Sequence, residues 1–563
     1  MILAHITHIA DICAKSGIKE AILSPGSRCA PISLAFIRHP DIHCRTVSDE
    51  RSAAFIALGM AQQLEKPVVL ICTSGSAALN YAPAVAEAFF QQIPLLILTA
   101  DRPAEWIDQW DGQTIRQEQL YGKHVKGSLM FPDEGSIKEK IWHARRLINE
   151  ALVLSKTFPM GPVHVNIPVR EPFYPLPEEE FTFPMDGQVL ETIPVQHHLK
   201  EEVLIKLKSK LESYQKIMVV PGQQRPNPQV QKLLDELVRG HKAVVIADAI
   251  SNLQSSSTVT HHDLILQNPA SSEILEPDLV ISFGKSIISK ALKLFLRNAE
   301  VSHWHIQPQG YVPDSFQHLT KIIPTSPDYF LEFLLKNGPE IHPPFEKSWG
   351  DNERKVRKVL PEILENTAFG EFKALYKIRP FIPKISKIHL ANSMPVRYVN
   401  FLGLGDGGQE IICNRGTSGI DGSNSAAVGC TFTTKEPVTL ITGDMAFFYD
   451  RNAFWHKYNM ANLRVIVLNN HGGGIFRLIE GPSKLPELDE YFETQQRLEA
   501  DLLAQEAGFD YLRLDQENNL PEVLDNFYHK SVRPKILEII SSSVENATVL
   551  QEVKKAVKQL LSK

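Results

Sequence analysis

The chain has no apolar run approaching the roughly 18 residues needed for a membrane-spanning helix, so membrane insertion is not expected. It has no excess of positive charge: 59 Lys and Arg stand against 65 Asp and Glu, a formal net charge of -6. Nucleic-acid binding therefore has no support, and any anionic ligand must meet a local basic pocket. Cysteine is scarce, and Cys13, Cys29, Cys44, Cys72, Cys413 and Cys430 form no CxxC pair. Neither a zinc site nor a disulfide framework is indicated, and a reducing cytoplasm fits. The first residues, Met1 to Ile6, lack a basic leader and continue as an amphipathic helix pattern, so no signal peptide is expected. Low-complexity tracts, short literal repeats and any convincing Ser-His-Asp or thiol–His nucleophile are also missing. What remains is a composition of 43% hydrophobic and 22% charged residues, ordinary for a soluble globular protein. At 563 residues the chain exceeds one core and predicts three to four domains.

Short apolar runs ending in small or polar turns organise the first third. Ala21-Ile22-Leu23 leads into Ser24-Pro25-Gly26-Ser27-Arg28, and Pro67 to Cys72 into Thr73-Ser74-Gly75-Ser76. Pro94 to Leu98 leads into Thr99-Ala100-Asp101-Arg102-Pro103, and Gly161 to Pro168 closes the set. This alternation with helical patterns predicts a parallel βαβ sheet with functional loops at its carboxyl ends. Pro172, Pro175, Pro177, Pro184 and Pro194 predict an extended linker. A second unit has candidate strands Ile217 to Val220, Ala243 to Ala247 and Leu279 to Phe283, and Gly338-Pro339 and Pro343-Pro344 mark its end. A helical stretch from about Ser348 to Ile382 then leads into a third unit that ends with the strand Lys535 to Ile540. The expected architecture is α/β, with three consecutive doubly wound parallel-sheet domains over 1–180, 196–338 and 348–563.

The third unit carries the strongest chemical signal. Gly443-Asp444 ends the run Val438 to Thr442, and Asn469-Asn470-His471-Gly472-Gly473-Gly474 follows the run Arg464 to Leu468. A carboxylate and an amide at adjacent strand ends supply the hard oxygen ligands Mg2+ prefers. The glycines let backbone N–H groups approach an anion. Together they suggest a Mg2+-bridged diphosphate site at the carboxyl ends of a parallel sheet; two strand-ending turns without metal are the bland alternative. Asp444 and Asn470 stand 26 positions apart, which suits one crossover helix between neighbouring strands. Gly403-Leu404-Gly405-Asp406-Gly407-Gly408 also matches GxGxxG, but the dinucleotide fingerprint needs a strand before it and a helix after it. Gln409 to Cys413 reads as a strand, so a glycine-rich turn is expected rather than a nicotinamide site.

The Gly-Asp and Asn-Asn spacing resembles the thiamine-diphosphate signature, with Met445 where that signature has glycine. Further stretches narrow the resemblance: Ser24 to Arg28, Asp49-Glu50-Arg51, Thr73-Ser74-Gly75, Thr99 to Pro103 and Ile115-Arg116-Gln117. So do Asn392-Ser393 through Arg397, Asn414 to Gly422, and Gly472-Gly473-Gly474-Ile475-Phe476. All resemble the menaquinone-pathway 2-succinyl-5-enolpyruvyl-6-hydroxy-3-cyclohexene-1-carboxylate synthases, in register over the first and third domains and loosely over the middle one. In that family a larger residue commonly follows Gly-Asp, while His471 and Cys29 replace the usual residues at positions not expected to be essential.

The resemblance implies thiamine diphosphate with Mg2+, or Mn2+ in its place, held in a homodimer or dimer of dimers with sites between subunits. It implies decarboxylation of 2-oxoglutarate and addition of the resulting succinyl carbanion to isochorismate. Glu50 would be the acid at the cofactor's aminopyrimidine, given across the subunit interface; otherwise Asp49-Glu50-Arg51 is a charged helix start capped by Asp49. Ser418, Gly419, Ile420, Gly443, Asp444, Met445, Asn470, Gly472, Gly474, Ile475 and Phe476 would hold the cofactor, with Asp444, Asn470 and Gly472 on the metal. Ile420 would be the wedge beneath its bent linkage, or else core packing. Arg28, Gln117, Ser393, Arg397 and Arg415 would line the substrate pocket and act in catalysis, and Arg102 and Lys290 would bind isochorismate. Guanidinium forks suit such dicarboxylates, although a strand-end Arg is commonly an ion pair, as Lys290 and Arg116 could equally be. His164, in an apolar strand, is expected to be a satisfied core histidine. The nearest rival is another 2-oxoacid decarboxylase or carboligase, acetohydroxyacid synthase-like; a non-catalytic diphosphate-binding protein is a more distant one.

Overall fold

The computed structural model describes residues 4–133, 137–176, 181–183, 187–267, 272–403 and 408–562. Three parallel sheets follow one another. The first contains β1 (Glu20–Leu23), β2 (His43–Thr46), β3 (Val68–Cys72), β4 (Leu95–Asp101), β5 (Ser128–Met130) and β6 (Val163–Pro168), in the order β2-β1-β3-β4-β6-β5. The second contains β7 (Ile217–Pro221), β8 (Val244–Val245), β9 (Leu279–Phe283), β10 (Ser302–Ile306) and β11 (Leu319–Ile323), in the order β11-β10-β9-β7-β8. The third contains β12 (Lys387–Leu390), β13 (Glu410–Cys413), β14 (Val438–Gly443), β15 (Leu463–Asn469), β16 (Asp510–Leu514) and β17 (Lys535–Ile540), in the order β13-β12-β14-β15-β17-β16. Strand for strand, the third sheet repeats the order of the first. Central strands such as β3, β4 and β15 are buried from end to end and largely apolar, because helices cover both of their faces.

Two boundaries differ from the sequence expectation. Pro177 and Pro184 lie outside the described residues, but the described parts of the expected extended linker dock along the first domain. Phe173, Phe181 and Phe183 pack on the first core, Arg28 and Arg38 lie over the Phe173 and Phe181 rings, and the Leu190 N–H donates to Asn149 Oδ1 at 2.7 Å. The long helix expected from Ser348 opens instead at Pro343 and runs to Glu365. Pro343 and Pro344 do not separate domains; they occupy its first turn, where a missing N–H costs nothing. Its Trp349 Nε1 donates to the Leu275 carbonyl at 3.1 Å, and its Glu353 accepts from the Thr260 hydroxyl at 2.9 Å, so this helix packs on the central domain as well as on the C-terminal helix Ser543–Leu561.

The first and third domains share a core through two helices, Glu50–Leu64 and Ser423–Thr431. They touch backbone to backbone. A Cβ on Gly59 would lie 2.1 Å from the Ala426 carbonyl oxygen, and one on Gly429 would lie 2.0 Å from that of Ile56. Neither obstacle is a side chain that could swing away. Gly429→Val is therefore expected to cost about 3 kcal/mol or more, the upper end for overpacked sites, and thermal unfolding should report it as a lowered Tm.

Candidate active site

Strands β14 and β15 pair in register from Val438 opposite Leu463 to Gly443 opposite Leu468. Whatever follows each strand therefore emerges side by side at the carboxyl edge. Asp444 opens the helix Asp444–Tyr449, and Asn470 begins the glycine turn. Between them lies a cleft of about 520 Å3 lined by Asp444, Met445, Asn470, Gly472, Gly474 and Gly443. Ile475, Phe476, Ser418 and Ile420 complete one wall, and Ser393, Arg397 and Arg415 another. Gly419 stands just behind, its carbonyl accepting from Asn392 Nδ2 at 2.7 Å. Ile420 remains 36% exposed, so it is a cleft residue and not core packing.

The atoms at the cleft floor suit a divalent cation carrying an anion. Asp444 is 1% exposed; burial, opposed by hydrogen bonds led by the Gln496 side chain, pushes its carboxyl up to about 6. Gln496 Nε2 donates to Asp444 Oδ2 at 2.8 Å. Asn470 gives its Nδ2 to Glu371 Oε1 at 2.6 Å, whereas its buried Oδ1 has no partner. Glu371, 1% exposed on the helix Glu371–Ile378, is pushed up to about 7 by burial, with repulsion from Asp444 adding to it. A Cβ on Gly443 would meet nothing within 4 Å, which leaves room for a group beside the backbone. Uncompensated carboxyls, an orphan amide oxygen and open glycine backbone are what Mg2+ and a diphosphate would fill. Three residues around the cleft hold positive φ without being glycine: Ser393 (74°), Ser418 (63°) and His471 (62°). Such strain persists where surrounding structure over-determines it.

The second wall is cationic. Arg397 Nη1 donates to the Ser393 carbonyl at 2.6 Å, and Arg415 Nη1 to Asn392 Oδ1 at 2.9 Å. Among the described residues neither guanidinium has a carboxylate within ion-pair distance. Burial, then the charge of Arg415, holds the Arg397 guanidinium below its ordinary value. The loop carrying Arg415 is pinned by Glu87 of the first domain, which accepts from the Gly416 N–H at 2.7 Å and the Thr417 N–H at 2.6 Å. Gln223 of the central domain adds a bond from Nε2 to the Cys413 carbonyl at 2.8 Å. All three domains thus meet behind Arg415.

Glu50, Arg28, Arg102 and Gln117 do not line this cleft. Glu50 opens its helix behind Asp49, whose side chain accepts from the Ser52 N–H at 3.0 Å as the cap that spacing predicted. Arg28 donates to the Val169 carbonyl at 2.6 Å, keeps a buried Nε without a partner, and is held below its ordinary value by burial and by Arg102. Arg102 is committed to Asp111, Gly112 and Ser74. Gln117 accepts from the Gly75 N–H at 2.8 Å and donates to Asn166 Oδ1 at 2.9 Å. The same buried network includes His164, bonded to Thr99 Oγ1 at 2.8 Å and Ser128 Oγ at 3.2 Å and pushed down to about 4 by burial. It is a satisfied core histidine. Arg116 forms a solvent-exposed pair with Asp108 at 3.1 Å, of the kind worth little.

Lys290 is exposed at the first residue of the helix Lys290–Asn298. One turn later, Lys293 lines a cavity of about 290 Å3 together with Arg415. Lys293 is thus a central-domain lysine that shares a cavity with Arg415, which Lys290 does not line. Sequence reasoning also missed Glu371, Glu87 and Gln496, which lie far along the chain from the groups they hold. Residues 404–407 of the GxGxxG match lie outside the described residues. Its flanks run helix (Met394–Leu402) then strand (β13), the reverse of the dinucleotide arrangement.

Comparison with known proteins agrees with this geometry. Residues 6–120 match the family model described as thiamine pyrophosphate enzyme, N-terminal TPP binding domain, and residues 206–390 the one described as middle domain of thiamine pyrophosphate. A 2-succinyl-5-enolpyruvyl-6-hydroxy-3-cyclohexene-1-carboxylate synthase from Cytophaga hutchinsonii is 46% identical over 98% of this chain and 99% of its own length. Proteins of the same name from Flavobacterium johnsoniae and Porphyromonas gingivalis are each 37% identical over 97% of this chain, covering 97% and 96% of their own lengths. With the glycine-lined carboxylate–amide cleft facing Arg397 and Arg415, this similarity over nearly the whole length places the chain in the family of thiamine-pyrophosphate-dependent 2-succinyl-5-enolpyruvyl-6-hydroxy-3-cyclohexene-1-carboxylate synthases.

Proposed function

We propose that the protein decarboxylates 2-oxoglutarate and adds the resulting succinyl unit to isochorismate, releasing CO2, as a step of menaquinone biosynthesis in the cytoplasm. Bound thiamine diphosphate supplies the electron sink for decarboxylation. Asp444, the Asn470 amide and the Gly472 backbone would hold Mg2+, or Mn2+ in its place, as an anchor for the diphosphate. Ser418, Gly419, Gly443, Met445, Gly474, Ile475 and Phe476 would shape the cofactor's berth, and Ile420 would support its bend. Arg397 and Arg415 bind substrate carboxylates, Ser393 orients them, and Lys293 extends the cationic wall toward the acceptor. A second copy of the chain brings Glu50, Arg28 and Gln117 to this cleft, with Arg102 adding to the field around Arg28. A homodimer, alone or paired into a tetramer, is then the smallest competent unit.

The observation that carries this reading is the pair of half-buried guanidiniums, Arg397 and Arg415, facing the carboxylate–amide cleft with no ion-paired carboxylate among the described residues. Both substrates are dicarboxylates, and a fork binds a carboxylate bidentately. Incubating the purified protein with isochorismate and either 2-oxoglutarate or pyruvate tests it. Product should form from 2-oxoglutarate; preference for pyruvate as donor would move the protein to the acetohydroxyacid synthase-like reading. Within the same assay, Lys293→Met should raise the KM for isochorismate by roughly tenfold, the worth of one charge-assisted contact. Lys290→Met should leave it unchanged.

A further inference from the structure

Asn469 ends β15 and Asn470 follows it, and their side chains are treated in opposite ways. Asn469 is fully used: its Nδ2 donates to Glu538 Oε1 at 2.7 Å and the Leu498 carbonyl at 3.0 Å, and its Oδ1 accepts from the His471 N–H at 3.0 Å. Asn470 is half used, with Nδ2 on Glu371 Oε1 and a buried Oδ1 left free. An amide can present either end to a neighbour, and only the oxygen end can bind a cation. A carboxylate accepts hydrogen bonds and gives none, so it draws the NH2 end toward itself and turns the oxygen away.

We propose that Glu371 is the positioning residue of the metal site: it fixes the Asn470 amide with oxygen toward the cation. This rests on the reading of Asp444 and Asn470 as metal ligands. Glu371 is itself held in place. Its N–H donates to Asn546 Oδ1 at 3.0 Å, and the Tyr398 hydroxyl bonds its carboxyl group. Asn546, on the helix Ser543–Leu561, is in turn fixed by a bond from its Nδ2 to Ser541 Oγ at 2.9 Å. Gly370 lets this contact form, because a Cβ there would lie 2.5 Å from Asn546 Oδ1. A buried acid braced from two neighbouring helices, with one oxygen 2.6 Å from the Asn470 amide, has the arrangement of an outer-shell partner that orients a metal ligand.

The test measures thiamine diphosphate binding to the full-length protein by calorimetry across a Mg2+ titration, reading the Mg2+ concentration at half-saturation. Glu371→Leu should raise it by about 10–100-fold, the usual cost of losing an outer-shell partner. Glu371→Gln keeps a carbonyl acceptor and should stay within about threefold of the parent. A Glu371→Leu protein that folds and binds Mg2+ like the parent, while Asp444→Ala does not, overturns the positioning role. If Asp444→Ala also binds like the parent, the ligand assignment itself fails instead. A second pair of variants applies if Glu371→Leu does not fold. Asn470→Asp adds a charge that should attract Mg2+, yet against Glu371 it should weaken binding, and Glu371→Gln should restore it. Tighter Mg2+ binding by Asn470→Asp alone, with no further gain from Glu371→Gln, contradicts the proposal.

Discussion

Glu50→Gln should lower turnover by about 10²–10⁴-fold, the range for losing a positioned acid–base group, while Mg2+-dependent thiamine diphosphate binding changes little. The two effects separate because Glu50 opens a helix of the first domain, whereas the diphosphate cleft is lined by third-domain residues. Single-turnover decarboxylation of 2-oxoglutarate measures the first effect and calorimetry the second. Activity retained by Glu50→Gln would remove the residue from the mechanism and favour a non-catalytic diphosphate-binding protein. The variant also tests where the acid acts. In a mixed dimer of a Glu50→Gln chain and an Asp444→Ala chain, donation across the interface leaves one site with both defects and the other intact. Co-expression should then recover activity that neither variant has alone; no recovery would put Glu50 and Asp444 of one chain in the same site.

Asp444→Ala is expected to produce the largest loss of cofactor affinity. The substitution removes the carboxylate from the cleft floor, leaving the Asn470 oxygen and backbone groups to hold Mg2+. Its cost should exceed the roughly 10–100-fold that outer-shell changes bring. Gln496→Leu, which removes only the bond to Asp444 Oδ2, should fall within that smaller range. Both are read as the thiamine diphosphate dissociation constant at fixed Mg2+. Equal effects of the two variants would mean that Asp444 acts as a structural acid and not as a ligand.

Much of this was legible in the chain because strand ends and turns are written locally. The runs Val438 to Thr442 and Arg464 to Leu468 are rich in β-branched and apolar residues, and they form β14 and β15 with their polar ends adjacent. Edge strands were not legible. β2 reads His-Cys-Arg-Thr with mixed exposure, and β16 buries only Leu514, so neither presents an apolar run or a clean alternation. The supporting carboxyls were invisible for another reason: Glu87 lies 329 residues from Gly416, and Glu371 lies 99 from Asn470. No local pattern links them. Lys290 and Lys293 differ by one helical turn, and only the packing of Leu292 and Leu296 inward fixes which lysine faces Arg415. From the sequence, Arg102 is expected to bind isochorismate or else to form an ion pair, and its carboxylate neighbour, Asp111, cannot be named because it sits in a loop whose fold the sequence does not specify.

The matching strand orders of the first and third sheets give the helix contact at Gly59 and Gly429 a further meaning. The helix Glu50–Leu64 follows the second strand of its sheet, and Ser423–Thr431 follows the second strand of the other. Equivalent parts therefore meet, each burying a glycine under the other's carbonyl, as two subunits do around a twofold axis. One chain is built like a dimer whose halves have been tethered and then set free to differ. Only one half needs the carboxylate after its third strand, and only the other needs the acid at the head of its helix. Thr73 and Ser74 stand in the first sheet where Gly443 and Asp444 stand in the last, and Gly422 and Ser423 stand where the first offers Asp49 and Glu50. Each half carries the group the other lacks, so two halves alike in fold are complementary in chemistry and share one core.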